Sequence, residues 1–501
     1  MASYNAINGV PSNINPLLLT EILKKRWGFQ GFVVSDLGGV DTMVKGHMKS
    51  KMTYEDAVAE SLIAGCDFSD KEYETYIPAA VRNGLLPEAR LNDAVYRVLR
   101  ARFRLGEFDP PESVPYSRIS PSVICSAEHR ALALRAARES IVLLANKNDF
   151  LPLDKNKLKK IAVIGPHADL FTTGGYSGIP ENPVNPLQGI KNRAAAGTEI
   201  LYAKGCEFVQ ATPSVASNAA TQTATSPQDG EGMIREAAEI AARADVAIVY
   251  VGTINAIEGE GHDRTTLSLP GRQEELVKAV LAANPKTVVV LMNAGPLAVP
   301  WIKDHAPAML EAWWNGVEGG NAIADVLFGD YNPAGRLPHT VYASDSQVPP
   351  QDEYDVTRGF TYMYLKGEPL FPFGHGLSYT EFRYSNLRLS AKQIPADGKV
   401  TVSVDVQNVG KLAGDEVVQL YVHDVECRVL RPVKELRGFE RISLAPGETK
   451  TVTLELPGDK LAFYDVKTHG FAVEPGMFDV LVGRSSADIR AKGQFEVTAA
   501  K

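Results

Sequence analysis

Two short stretches of the sequence place acidic residues where catalytic carboxylates are commonly displayed. Asp36 follows the run Phe32–Ser35, whose apolar residues have the pattern of a strand buried on both faces of a parallel sheet. Glu258 and Glu260 follow a second apolar run, Val246–Val251. Barrels and open α/β sheets bind ligands at the carboxyl ends of their parallel strands. The structural alternatives are a helix-capping aspartate and a solvated acidic loop.

Carboxylates at two such positions favour one kind of reaction. Hydrolysis of a glycosidic bond needs one carboxylate to attack the anomeric carbon or stabilise its positive charge, and a second to protonate the departing oxygen. Glycines on both sides of Glu260 permit unusual backbone angles and close approach of a ligand. Glu258 and Glu260 are two residues apart, so both would point to one side of an extended segment, and at most one is expected to donate the proton. Whether either carboxyl meets Asp36 stays open at this stage.

Three other segments carry weaker signals. Ile161–Pro166 has the look of a dinucleotide-binding turn but lacks the GxGxxG spacing, which argues against a nicotinamide-dependent oxidoreductase. Gly174–Gly178 is predicted to be an ordinary turn, although its glycines would let a ligand approach. Trp313 and Trp314 follow a strand-like run and are predicted to pack in the core rather than stack on a sugar.

Composition excludes several classes of protein. The 501 residues carry a formal net charge of −8, which argues against binding to a nucleic-acid backbone. No apolar run approaches the ~20 residues of a membrane span. The four cysteines are widely spaced, form neither a disulfide scaffold nor a metal cluster, and are predicted to be buried thiols. The first residues lack the charged and apolar regions of a signal peptide.

The periodicity of the sequence divides the chain into three domains. Residues 1–110 alternate short strand-like runs with helical segments, about three βα units where a closed (β/α)8 barrel has eight. Alternating strands and helices between residues 126 and 345 predict an α/β sandwich. From residue 384 to 501 the period changes to 2, as in Val400–Val406, which predicts a β-sandwich. Linkers are expected at 111–125 and 346–383. Residues 210–230, rich in Ala, Ser and Thr, are predicted to form an exposed insertion.

Several motifs in this order, over essentially the whole chain, resemble glycoside hydrolase family 3, the β-glucosidase and β-xylosidase family. The matching stretches are Met1–Pro11, Trp27–Asp36, Arg102–Gly106, Ser140–Asn146, Gly259–Arg264, Gly335–Pro338 and Phe371–Thr380. The resemblance implies a barrel domain, an α/β sandwich and a C-terminal fibronectin type III-like domain. It also implies that the chain is N-terminally truncated, because the first half of the barrel and its sugar-holding residues have no counterpart here.

The resemblance assigns roles to four residues. Asp36 stands in the position of the nucleophile, and Glu260 in that of the acid/base. Tyr4 resembles the tyrosine that lies beside the nucleophile. Glu258 is predicted to contact substrate and is the fallback acid/base, because the loop varies in length across the family. Leu37 departs from the aromatic residue that many members have after the nucleophile.

The function implied is that of a retaining exo-β-glycosidase that releases terminal non-reducing β-linked glucose from oligosaccharides or glucosides. The alternatives are a β-xylosidase of the same family and a catalytically inactive carbohydrate-binding remnant. No metal or organic cofactor is expected, and no nucleic acid or membrane partner. The oligomeric state stays open. The compartment is also open, with the periplasm or secretion expected for the full-length protein.

Overall fold

The computed structural model describes residues 1–46, 52–208, 227–261 and 263–499. These residues form two compact units, Met1–Val123 and Ile124–Lys501. Most of the predicted insertion, residues 210–226, lies outside the described residues, as does His262. None of the helices in the described ranges is both long enough and apolar enough to cross a bilayer.

The first unit alternates short extended segments with helices, as predicted. Ala2 pairs in parallel with Ser35, and Val34 pairs in parallel with Phe68. The predicted strand Phe32–Ser35 is thus reduced to two paired residues, because each neighbouring segment pairs with it at one position. A small hairpin joins Ala6–Ile7 and Val10–Pro11, and the helices are Leu17–Arg26, Gly39–Lys45, Tyr54–Ala64, Lys71–Arg82 and Glu88–Arg104.

A buried carboxylate ties these elements together. Asp67 accepts hydrogen bonds from the Lys24 ammonium at 2.7 Å and the Arg90 guanidinium at 2.5 Å. Its second oxygen also accepts the backbone N–H of Val33 at 2.9 Å. Burial lowers the pKa of Lys24 despite its acidic partner. The network joins the extended segment that precedes Asp36 to two helices. One is Leu17–Arg26, which comes before the segment in the sequence, and the other is Glu88–Arg104, which comes after it.

A six-stranded sheet forms the centre of the second unit. All neighbouring strands are parallel except one antiparallel edge strand, Val142–Asn146. The spatial order is Val142–Asn146, Ala308–Glu311, Thr287–Met292, Val246–Gly252, Lys160–Ile164, Glu199–Ala203. The flanking helices are Ala127–Ser140, Pro186–Arg193, Pro227–Ala242, Gln273–Ala283, Pro300–His305 and Gly319–Leu327.

The central strand shows why the sequence folds this way. Every residue of Val246–Gly252 is buried. Ala247, Val249 and Val251 pack into the apolar layer on one face of the sheet, and the alternate residues pack into the layer on the other face. A continuous apolar run is the pattern of a parallel strand covered by helices on both sides. The predicted α/β sandwich is confirmed.

The C-terminal part of the chain is a β-sandwich with alternating burial. Val400, Val402, Val404 and Val406 are buried, and the residues between them are partly exposed. One sheet contains Thr449–Pro457, Lys399–Asn408 and Phe382–Leu389; the other contains Gln393–Pro395, Ile489–Thr498, Gly476–Gly483, Gly414–Asp424 and Glu435–Leu444. A small hairpin pairs Phe463–Asp465 with Gly470–Ala472.

The cysteines correct one expectation. Cys66 and Cys206 are buried thiols, and burial raises the pKa of Cys66 to about 11 and that of Cys206 to about 12. Cys125 and Cys427 are partly exposed, so the prediction that all four are buried is wrong for these two. Both lie in connections between regular elements, where less chain covers a side chain.

Candidate active site

Asp36 stands at the carboxyl end of the middle extended segment of the first unit. Its backbone N–H donates to the carbonyl of Ala2 at 2.9 Å, which continues the parallel pairing of Ser35. Its carbonyl accepts the N–H of Gly39 at 2.8 Å, where the next helix begins. The residue therefore lies at a strand-to-helix turn, the position from which βα-repeat enzymes present catalytic groups.

The side chain of Asp36 is oriented by the turn that follows it. Its Oδ1 accepts the backbone N–H of Leu37 at 2.9 Å, and the side chain stays partly exposed. The next N–H, that of Gly38, donates to Asp70 Oδ2 at 2.8 Å. The turn is thus fixed from both sides, which limits the rotation of the Asp36 carboxylate.

Tyr4 lies beside this turn. Its hydroxyl donates a hydrogen bond to the carbonyl of Leu37, the residue after Asp36. Tyr4 is 37% exposed, so part of its ring remains open to solvent. The structure therefore brings Tyr4 to the Asp36 turn, and Leu37, at 77% exposed, projects from the same turn.

Asp70 and Glu72 are neighbours of the turn that the sequence analysis missed. The hydrogen bond between their side chains lowers the pKa of Asp70 and raises that of Glu72. A signal was present, because Ser69–Asp70 follows the next extended segment just as Ser35–Asp36 follows its own. The position at the end of an extended segment, which selects Asp36, therefore selects Asp70 as well.

In the second unit the acidic residues lie at the carboxyl edge of the parallel sheet. Thr253 follows the strand Val246–Gly252, and its hydroxyl donates to Glu258. Glu258 Oε1 also accepts the N–H groups of Ala294 at 2.8 Å and Gly295 at 3.0 Å, just beyond the adjacent strand. Glu258 Oε2 pairs with Arg264 Nε at 2.7 Å. Both oxygens of this buried carboxylate are therefore engaged by the protein.

Glu260 is in a different environment, although it is only two residues away. Its side chain is exposed, and Oε2 accepts a hydrogen bond from the hydroxyl of Tyr176. Tyr176 belongs to the glycine-rich segment 174–178 and is 91% exposed. This segment, predicted to be an ordinary turn, reaches the acidic loop from a different strand end. A carboxyl group in contact with both solvent and a hydroxyl can exchange a proton with a ligand.

Two buried titratable groups at the same edge were missed by the sequence analysis. Glu311 ends the strand Ala308–Glu311, and burial, assisted by the nearby negative charge of Glu258, raises its pKa to about 8. It accepts hydrogen bonds from Trp313 N–H at 3.1 Å and from Asn293 at 3.2 Å. Burial also lowers the pKa of His167 to about 3. Both groups are therefore neutral at pH 7.

Trp313 and Trp314, predicted to pack in the core, are each only half-buried, and Trp313 packs against the edge of the apolar layer on one face of the sheet. Trp314 Nε1 donates to the carbonyl of Thr253 at 3.0 Å, and Trp313 Nε1 donates to the carbonyl of Ser140 at 3.0 Å.

Glu258 and Arg264 also line a cavity of about 260 Å³ at the carboxyl edge of the sheet, together with Thr266. Among the described residues, no group of three or more His, Cys, Asp or Glu side chains is arranged to hold a metal ion.

Comparison with known proteins agrees with this architecture. Residues 1–101 match the glycosyl hydrolase family 3 N-terminal domain, residues 141–379 match its C-terminal domain, and residues 416–486 match a fibronectin type III-like domain. A periplasmic β-glucosidase of Salmonella typhimurium is 38% identical over 99% of this chain and 67% of its own length. A β-xylosidase of Formosa agariphila is 37% identical over 97% of this chain and 67% of its own length.

Solved structures give the same result. A β-glucosidase from Erythrobacter marinus superposes with a TM-score of 0.87 at 35% identity, over 99% of this chain and 67% of that one. A β-glucosidase from Listeria innocua in complex with glucose superposes with a TM-score of 0.84 at 30% identity, over 99% of this chain and 66% of that one. The chain thus spans about two thirds of the length of these relatives. The predicted fold class is confirmed, and the chain belongs to glycosyl hydrolase family 3.

Proposed function

We propose that the protein that contains this chain is a retaining exo-β-glycosidase that releases terminal β-linked glucose from oligosaccharides or glucosides. The observation that carries the proposal is the position of Asp36, a partly exposed carboxylate held at a strand-to-helix turn beside Tyr4. Several relatives named as β-glucosidases support glucose as the sugar.

Asp36 acts as the nucleophile in this proposal. One of its oxygens attacks the anomeric carbon from the face opposite the leaving oxygen, which inverts that centre and forms a glycosyl ester. The hydrogen bond from the Leu37 N–H holds one carboxylate oxygen, so the side chain is oriented before substrate arrives. Tyr4, anchored through its hydroxyl to the same turn, offers part of its ring surface next to the reacting sugar.

Glu260 acts as the acid and then as the base. In the first step its carboxyl gives a proton to the departing oxygen; in the second it takes a proton from water, which attacks the ester and inverts the centre again. The exposure of Glu260 supports this role, because a proton donor must reach both a leaving group and solvent. Double displacement of this kind needs two carboxyl groups that stand ~5–5.5 Å apart when substrate is bound.

A β-xylosidase is the second candidate. The Formosa agariphila relative at 37% identity carries that name, and its identity to this chain is nearly that of the Salmonella enzyme. Glucose differs from xylose by its hydroxymethyl group, so the two candidates differ in the space and contacts around C5 of the sugar. A catalytically inactive carbohydrate-binding protein is the third candidate, and turnover in the assay below would exclude it.

The test compares aryl β-glucosides and aryl β-xylosides as substrates of the natural protein that contains this chain. We expect turnover with retention of anomeric configuration and a higher kcat/KM for the glucoside. Asp36→Asn should abolish turnover of both substrates, because an amide cannot form the ester. Glu21→Gln, which removes an exposed carboxylate paired with Lys25 on the surface of the same unit, is the matched control and should keep wild-type activity. Turnover that survives in Asp36→Asn would refute the assignment.

A further inference from the structure

Glu258 and Arg264 form an ion pair that brackets Glu260 in the sequence. Glu258 Oε2 lies 2.7 Å from Arg264 Nε, and each side chain is only 11% exposed. Glu258 lies two residues before Glu260 in the sequence, and Arg264 lies four residues after it. The ion pair therefore joins the two ends of the segment that carries Glu260. We call this pair the clasp.

The clasp is also fixed to the neighbouring strand end. Glu258 Oε1 accepts the N–H groups of Ala294 and Gly295, and Arg264 Nη2 donates to the carbonyl of Pro296 at 2.8 Å. Ala294, Gly295 and Pro296 follow the strand Thr287–Met292 and are separated from it only by Asn293. Both ends of the Glu260 loop are therefore attached to the same rigid sheet edge.

The backbone of the neighbouring segment leaves room for the clasp. A Cβ atom on Gly295 would lie 2.9 Å from Arg264 Nη2 and 3.0 Å from Glu258 Oε2. Contacts this short require both side chains to shift by a few tenths of an ångström, so a larger residue at position 295 would move the ion pair. The φ angle of Gly295 is not in the left-handed region, so the backbone itself does not require a glycine there. The glycine is needed because a side chain would have too little space.

We infer that the clasp positions Glu260 for proton transfer, so that Glu258 and Arg264 are positioning residues rather than substrate ligands. This inference rests on the proposed function. A buried ion pair adds little net stability, because removing two charges from water costs about as much as their attraction returns. Its value lies in fixing geometry, and an error of about 1 Å in the position of a catalytic group lowers rates by roughly 100-fold.

Glu258 then has a role other than the predicted one. The family resemblance implies substrate contact and a fallback acid role for Glu258. However, its two carboxylate oxygens are held by Arg264, Thr253 and two backbone N–H groups, so it is poorly placed to donate a proton. Glu260, with one hydroxyl partner from Tyr176 and an exposed side chain, keeps the acid role.

The test uses the dependence of kcat/KM on the leaving group. Substrates with poor leaving groups need the acid, whereas activated aryl glycosides leave with little protonation. We expect Glu258→Gln to lower kcat/KM about 10- to 100-fold for a poor leaving group and much less for an activated one. The double variant with Glu260→Gln should be no slower than Glu260→Gln alone, because a positioning residue acts only through the group that it positions.

Two further variants keep the test decisive. Gly295→Ala retains both charges and should show the same leaving-group pattern by displacing the clasp. Glu275→Gln breaks the exposed pair with Arg272 on a nearby helix and should leave both rates unchanged. If Glu260→Gln shows the leaving-group pattern and the clasp variants do not, the inference is wrong. If Glu260→Gln itself lacks the pattern, the proposed function fails instead.

Discussion

Replacing Glu311 by glutamine should change how the stability of the protein depends on pH. Glu311 is 5% exposed at the end of its strand, and burial raises its pKa from 4.5 to about 8, with a smaller contribution from the charge of Glu258. In the unfolded chain the same carboxyl titrates near its ordinary value. Between these two pKa values the folded protein holds a proton that the unfolded chain has released.

The sign and size of the effect follow from proton linkage. A proton that binds more tightly to the folded state favours folding at low pH, so the free energy of unfolding falls as pH rises from about 4.5 to 8. One such proton contributes about 1.4 kcal/mol per pH unit. From pH 5.5 to 7 the wild type should therefore lose about 2 kcal/mol of stability that Glu311→Gln keeps.

The assay is urea unfolding of the wild type and of Glu311→Gln, followed by tryptophan fluorescence at several pH values. Trp313, whose N–H donates to Glu311, is a nearby reporter. All other titrating groups are shared by the two proteins, so the difference between their curves isolates Glu311. Glu199→Gln, which changes an exposed carboxylate paired with Lys160, should give a curve parallel to the wild type.

Parallel curves for Glu311→Gln and the wild type would contradict this prediction, because they would mean that Glu311 binds protons equally in the folded and unfolded states. An infrared spectrum at pH 7 gives an independent check. We expect a band of a protonated, buried carboxyl group in the wild type and its loss in Glu311→Gln. A wild type without that band would show that the carboxyl is ionised.

Two further changes test contacts around the proposed catalytic groups. Tyr176→Phe removes the hydroxyl that donates a hydrogen bond to Glu260. Because a hydrogen bond to a charged group contributes about 1.5 kcal/mol, kcat/KM for substrates with poor leaving groups should fall by about 10-fold. An equal loss with activated aryl glycosides would contradict this prediction. Asp67→Asn leaves Lys24 and Arg90 without their buried carboxylate partner and should lower the free energy of unfolding of the first unit by about 3–5 kcal/mol. Amide hydrogen exchange in that unit measures the change. Unchanged protection of its amides would contradict the structural role of the network.

The elements of the α/β domain were largely predictable from local pattern. The apolar run Lys160–Ile164 predicts a strand and the 3.6-residue period of Gln273–Ala283 predicts a helix, and the structure has both elements with these bounds. The edge strand Glu199–Ala203 was missed, since only one of its five residues is buried and its composition is mixed. Edge strands depend on pairing with a neighbour, which sequence alone does not show.

The candidate site was predictable at its acidic residues but not in their surroundings. Asp36 and Glu260 could be selected because each follows an apolar run. The contact between Tyr176 and Glu260 joins residues 84 positions apart, and its formation depends on the order of strands in the sheet. The raised pKa of Glu311 likewise results from burial by other strands, which a single sequence does not specify.

Trapping the covalent intermediate tests the assignment of Asp36 as the nucleophile most directly. A 2-deoxy-2-fluoro-β-glucoside with a good leaving group should glycosylate the nucleophile and hydrolyse slowly, because the fluorine destabilises both transition states. Mass spectrometry of the natural protein that contains this chain should then show one added fluoroglucosyl group, on the peptide that includes Asp36. A label on another carboxylate, or an active enzyme that takes up no label, would contradict the assignment of Asp36 as the nucleophile.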